Sequence, residues 1–493
     1  MPVSSSDDSS PRGTEELDLA RPAKSQTRFL VLACLCSLTF ILYLDRVCIS
    51  QAATSIRAEL GLTKTQMGWV FGAFSISYSL FEVVTGHWGD RFGVRQILTR
   101  IVLWWSAFTI LTGCVPRFDL FGSSAPAADT MSPGGTTAVG EMAYLGINSL
   151  SLMILVRFLF GAGEAGALPC SARVVTQWFP RREKGMMIGL TLLCMNLGGA
   201  LAPVLSARLI QSVGWRWTFA CFGLIGVIWS AIFYWWYRDQ PAEHGQVSIA
   251  ERNLILSDRD QTSPTQGGHD IPWSIVVVHP VIWLMGIIQA CSSFTSYLFM
   301  NWYATYLKEG RGLAEISSGV LTTQVMICGA VGSILGGFVS RRIDHSSHPA
   351  LYRKLCGCAA LVTGGICLGI APHLDELWQM NLMMSVVSFL TISQQANWWT
   401  VLTLIGGRHV AALFGFCNGL GGFGSFFSPV FFGWFVDRVS ASNSSPREQF
   451  DPAFFPYAII LALGGLCWLG VGSYRPVNPL DSAPHDAARS PGH

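Results

Sequence analysis

Apolar segments long enough to cross a membrane recur along almost the whole chain. The hydrocarbon core of a bilayer takes ~20 predominantly apolar residues of helix to span. Twelve stretches qualify: 28–50, 66–87, 97–115, 143–166, 185–210, 217–237, 279–305, 316–339, 354–372, 378–401, 408–436 and 453–473. Only 13% of the 493 residues are charged and 51% are hydrophobic, against roughly 25% charged in soluble domains. A soluble surface could not be covered with so little charge.

The reading is an all-α membrane protein with twelve transmembrane helices in two pseudo-symmetric six-helix bundles, the first at 28–238 and the second at 274–475. Residues 239–273 are polar and charged and form the cytoplasmic interdomain loop. The Ser-, Asp- and Pro-rich residues 1–27 read as a disordered cytoplasmic tail and 476–493 as a cytoplasmic carboxyl tail. Lys and Arg are retained on the cytoplasmic side during insertion. They gather after the second span (Arg91, Arg95, Arg100), after the fourth (Arg181, Arg182, Lys184) and after the eighth (Arg341, Arg342, Arg353, Lys354), which puts both termini inside. For a bacterial chain the membrane is then the cytoplasmic one. The stretch 115–144 is too polar to span and falls outside as a long loop. Gly86-His-Trp-Gly-Asp90-Arg91 after the second span has a weak echo in Gly336-Gly-Phe-Val-Ser-Arg341-Arg342 after the eighth, as two related halves would give.

Several functions lack their residues. With a net charge of +2 and no basic block interleaved with aromatics, nucleic acid is not a partner. The fourteen cysteines lie mostly inside apolar runs, and Cys356-x-Cys358 has no further ligands nearby, so no metal or other cofactor is expected. No phosphate-binding loop, H-E-x-x-H pair or nucleophile elbow is present, so the chain is read as neither an ATP-driven pump nor an enzyme. Energy must come from an ion or substrate gradient.

Charge inside a span costs about 2.5 kcal/mol or more near the bilayer centre and is functional by default. Asp45 and Arg46 lie in the first span, and Arg157 and Glu164 in the fourth. Seven residues make about two turns, so Arg157 and Glu164 share a helix face. The arginines are candidates for gripping an anion, since a guanidinium is always charged and binds carboxylates bidentately. The acids Asp45 and Glu164 are candidates for taking up and releasing protons. The alternative is that Arg157 and an acid merely neutralise one another between helices. Glu82, four residues after Tyr78 on the second span, is a third acid with either a coupling or a packing role. Gly86, Asp90, Arg91, Gly93 and Arg95 form a short turn between two spans and are gate candidates, with static loop packing as the alternative. Asn196, Tyr297, Gln394 and Asn418 are polar in apolar context, suited either to reading substrate hydroxyls or to bonding between helices.

These residues resemble the major facilitator superfamily, and within it the anion:cation symporter family of bacterial sugar-acid transporters and animal vesicular glutamate and sialic-acid carriers. The likeness runs over about 28–475. It rests on Arg157-Phe-Leu-Phe-Gly-Ala-Gly-Glu164-Ala-Gly-Ala-Leu-Pro169, Trp178-Phe-Pro180-Arg-Arg-Glu183-Lys-Gly185, Tyr43-Leu-Asp45-Arg46 and the loop Gly86 to Arg95. It implies alternating access by a monomer with proton symport of a sugar acid such as a hexuronate or aldonate. Arg46 and Arg157 would bind the substrate carboxylate, Asp45 and Glu164 would couple protons, and Tyr78, Tyr297 and Asn418 would face the cavity. Sodium coupling, organic-phosphate exchange and a non-transporting ligand sensor are the competing readings. The chain departs from the family's pattern at Arg341, where Asp is usual, at Glu82, where Gln is common, and at Val84, often Pro.

Overall fold

A computed structural model describes residues 26–117, 148–257, 279–406, 410–440 and 445–472, with the backbone alone at 83–92, 181, 256–257 and 410–412. Most of the expected tails, the outer loop and much of the interdomain loop lie outside these residues, as do the side chains of Asp90 and Arg91, and of Gly86 the backbone alone is described.

The first half runs α1 (Thr27–Leu60), α2 (Lys64–Phe92), α3 (Val94–Cys114), α4 (Ser149–Glu164), α5 (Ala167–Trp178) and α6 (Arg181–Trp236). A short helix α7 (Ile249–Ser257) precedes the second half, which runs α8 (Pro280–Asn301), α9 (Glu315–Asp344), α10 (Pro349–Ile370), α11 (Leu377–Ser393), α12 (Gln395–Gly406), α13 (Val410–Ser440) and α14 (Phe454–Cys467). Helix occupies the described part of all twelve apolar stretches. Among the described residues nine helical spans are long and apolar enough to cross a membrane. One of them is Arg182–Trp236. At 1.5 Å per residue its 55 residues measure about 80 Å, more than twice the bilayer core. Gly214, at φ 79° and ψ 162°, breaks it, as two crossings require.

Local sequence sets the helix ends. Gly61 adopts a left-handed conformation after α1, and its N–H and that of Leu62 both return to the Arg57 carbonyl. Thr63 and Gln66 form a capping box that starts α2, and Asn148 and Ser151 form one that starts α4. Gly166, at φ 91°, separates α4 from α5 directly after Glu164. In the second half α11 stops at Ser393 and α12 begins at Gln395, with Gln394 at the junction. Each half thus carries a broken span at corresponding places, and the span that opens the second half is interrupted as well, at Trp302.

Within the halves α1 lies along α6, α2 along α4, α8 along α13, and α10 along α14. Between the halves α2 packs on α13 and α6 on α9. Glycines allow the approach: a Cβ on Gly68 would come within 2.5 Å of the Pro429 carbonyl, and one on Gly319 within 2.8 Å of that of Pro203. Cross-half polar contacts gather at the Leu60 end of α1, here called the far face. Arg57 pairs with Glu309 at 2.6 Å, and Gln51 donates to Glu315 Oε1 at 2.7 Å and to Ser318 at 2.9 Å. A π-helical turn at Tyr306–Gly310 carries Lys308, whose ammonium donates to the Gln51 carbonyl and to Glu315. On the opposite, terminal face, Gly415 and Gly419 of α13 meet open space.

Loops are stapled too. Arg447 donates to Asp375 at 2.7 Å and to the Pro372 and Leu374 carbonyls. This bond to the guanidinium holds the exposed Asp375 carboxyl below the usual carboxylate range. Part of the segment expected to be a loop is folded: α7 docks on the first half through Glu251, which accepts the Arg28 N–H at 3.1 Å, while Gln246 accepts from the Thr27 hydroxyl.

Candidate functional site

Asp45 and Arg46 are adjacent on α1, so their side chains point about 100° apart. Arg46 faces α4 and the second half. Its Nε and Nη2 both reach Glu164 Oε1, at 2.9 and 2.5 Å. Glu164 Oε2 is buried and accepts no hydrogen bond among the described residues. Three rings surround the guanidinium carbon, Tyr43 at 4.8 Å, Phe74 at 4.9 Å and Tyr78 at 4.6 Å. Cation–π attraction of this kind is stronger once desolvated. Arg46 is 8% exposed and Glu164 1%, so a charged pair sits almost dry between helices. One carboxylate oxygen takes the Nε hydrogen bond and the close Nη2 ion-pair contact, and the other is left over.

Asp45 turns the other way, into the first half, and is 1% exposed. It lies within electrostatic reach of Arg157 and Glu164 and beside the Trp105 indole. Arg157 is 2% exposed, with its guanidinium 4.4 Å from the Phe160 ring and 5.3 Å from that of Phe74. The two arginines lie within electrostatic reach of one another and share Glu164 and the Phe74 ring. Arg157 is enclosed with Asp45 and Glu164 inside the first half, and Arg46 alone is turned to the opposite half.

The second half meets this cluster through Tyr297 of α8, which lies within electrostatic reach of Arg46, Tyr43 and Glu164 and beside Ser425 of α13. Asn418 precedes Ser425 by two turns on the same helix and shares its face. Gln394 donates to Ser292 Oγ at 3.1 Å, and its own carbonyl oxygen is buried with no partner among the described residues. Asn196 is half-buried on α6 and donates to its own helix, to the Leu192 carbonyl at 3.0 Å. Glu82 lies within electrostatic reach of Tyr78 and Arg46. Of the gate candidates with described side chains, Gly93 and Arg95 are tied to the end of α6. Asp239 accepts the Arg95 N–H at 2.8 Å and presses on Gly93, and the Arg95 guanidinium donates to the Tyr234 carbonyl and stacks on its ring.

The sequence reading missed Tyr43 and Phe74. Helical spacing carries the signal for both: Tyr43 lies three residues before Arg46, and Phe74 four before Tyr78. Trp105, beside Asp45, had no such neighbour in sequence to mark it.

Residues 35–423 match the family described as the Major Facilitator Superfamily. The chain belongs to that superfamily. It is accordingly a multi-pass membrane transporter and not an enzyme. Among curated relatives, the "probable sulfoacetate transporter" of Cupriavidus necator is 28% identical over 92% of this chain and 96% of its own. The hexuronate transporter of Bacillus subtilis is 25% identical over 90% and 93%, and the "probable galactarate/D-glucarate transporter" of Escherichia coli 26% over 85% and 90%. These relatives are of the anion:cation symporter type that the sequence motifs resemble. Among solved structures, a bacterial homologue of the human lysosomal transporter Spinster, inward-facing and unoccupied, superposes with a TM-score of 0.71 at 16% identity, over 90% of this chain and 97% of that one. A D-xylose–proton symporter gives 0.64 at 14%, over 91% and 98%. At these identities the structures speak for the fold.

Proposed function

We propose that this chain carries a small organic anion across the membrane by alternating access, with the Arg46 guanidinium as the anion's docking point and a proton as the coupling ion. The Arg46–Glu164 pair is the observation that carries this reading. Glu164 occupies the guanidinium that a substrate carboxylate or sulfonate would need. An arriving anion must displace it, and a displaced, buried carboxylate without a partner costs several kcal/mol. Taking up a proton removes that cost, and Oε2, free of the arginine, is a position where it can sit.

Charge counting points the same way. Asp45 and Glu164 balance Arg46 and Arg157, so the ionised cluster is neutral. One added anion is compensated by one added proton. Arg157 and Asp45 hold the arrangement from behind, while Glu82 offers a second acid within reach of Arg46. Tyr78, Tyr297, Gln394 and Asn418 are suited to the hydroxyls of a polyhydroxy acid. Among the cargoes in the relatives' names, a hexuronate sets its one acidic head on one guanidinium, while sulfoacetate and glucarate carry a second acidic group that calls for a further donor or proton. The gathering of basic residues at the terminal face supports cytoplasmic termini in the inner membrane of a bacterium, and one apolar core running through both halves of the single chain supports a monomer.

Proteoliposomes test this. Labelled galactonate, glucuronate, glucarate and sulfoacetate should be compared under an imposed pH gradient. At least one should accumulate, and dissipating the gradient with a protonophore should abolish accumulation. Transport that follows a sodium gradient and ignores pH would sink the proton reading while leaving the anion site standing.

A further inference from the structure

The far face is closed by a contact made with a helix end as well as with side chains. Asp437, near the far end of α13 in the second half, reaches the first turn of α2 in the first half. Its Oδ2 accepts the Thr65 N–H at 2.6 Å and the Thr65 hydroxyl at 2.7 Å, and its Oδ1 accepts the Lys64 N–H at 3.3 Å. The opening N–H groups of a helix have no partners within it. In α2 the Thr63 side chain takes the N–H of Gln66, and Met67 already bonds the Thr63 carbonyl. Lys64 and Thr65 remain, and these are the two that Asp437 satisfies. A carboxylate is also the group that the positive end of a helix favours. Close backbone approach makes this possible, since a Cβ on Gly433 would run into the Lys64 carbonyl and one on Gly68 into that of Pro429.

We propose that Asp437 is the latch of the far face. Its cap on α2 exists only while the halves are closed there. Parting them would strand two helix N–H groups on one side and a carboxylate on the other, to be paired again only by water. The latch shares no residue with the Arg46–Glu164 cluster, so it biases the closed state without taking part in anion binding. Arg57–Glu309 and Lys308–Glu315–Gln51 lie on the same face and act as side-chain contacts around it.

Spin labels at the exposed positions Ala58 and Glu376, one on each half at the far face, read its opening by pulsed electron–electron distance measurement. The background should have the fourteen native cysteines replaced and transport retained. Asp437→Asn keeps the size of the side chain and removes its charge. It should raise the ratio of open to closed far face by about tenfold, the value of a charge-assisted hydrogen bond. Asp437→Glu, which keeps the carboxylate, should recover much of the closed population and serves as the second variant if the first does not yield monodisperse protein. Unchanged distances in Asp437→Asn would overturn the proposal. So would an equal opening in Arg57→Gln, because the closure would then reside in the surrounding side-chain pairs.

Discussion

Arg46 directs one hydrogen bond and one close ion-pair contact at a single oxygen of Glu164, and that asymmetry sets what single substitutions should do. Replacing Arg46 with Lys leaves a charge but removes the fork that holds two acceptors at once. Anion affinity, measured by binding calorimetry on detergent-solubilised protein, should fall at least about tenfold, the loss of one charge-assisted hydrogen bond. Affinity equal to the parent's would remove Arg46 as the docking point. Glu164→Gln fixes the side chain in a neutral state. Exchange of labelled for unlabelled anion across vesicles should persist, because exchange needs no net proton movement. Accumulation driven by a pH gradient should vanish, and its survival would clear Glu164 of coupling. Both residues stand out in the sequence as charge inside an apolar run. The turning of Arg157 into the first half could not be read there, since it depends on which helices flank the fourth span, and nothing in a local sequence window records that.

At the level of elements, the break between α4 and α5 positions the acid. Gly166 sits at φ 91°, where a side chain is strained by roughly 1–2 kcal/mol. Gly166→Ala should therefore lower thermal stability in detergent and also weaken proton-driven accumulation, because a straightened span would carry Glu164 away from Arg46. Lost stability with accumulation intact would make the break a packing feature only. Most elements were legible in the sequence because twenty apolar residues in a row leave the backbone no alternative to a helix. The breaks were less so. Gly166 was visible as one of several glycines in its span, but nothing distinguished it from Gly161 and Gly163, which remain helical. The folded α7 within the linker was missed because its hold depends on Arg28, some 220 residues earlier, and not on its own periodicity.

Across the whole molecule, the neutral balance of two acids and two arginines carries a measurable expectation. Symport of a monoanion with one proton moves no net charge. Uptake of galactonate into potassium-loaded vesicles should then be indifferent to a membrane potential set with valinomycin while still following the pH gradient. A clear dependence on potential would mean a different number of protons, and Glu82 would be the first acid to neutralise by substitution with Gln. The arrangement of the halves was legible only in part. Two related units could be read from their apolar spans and repeated turns, but which end is closed is decided by pairs such as Asp437 with Thr65 that belong to neither unit alone.

The matched breaks have a further consequence. At corresponding interruptions one half bears Glu164 and the other Gln394, so two related frames have taken on different work: among the described residues one holds the buried charges of the central cluster, and the other presents neutral groups to it. Changes of cargo can then accumulate in the second frame without disturbing the energetics kept in the first, which is how a lineage built on one scaffold can diversify its diet while keeping its engine.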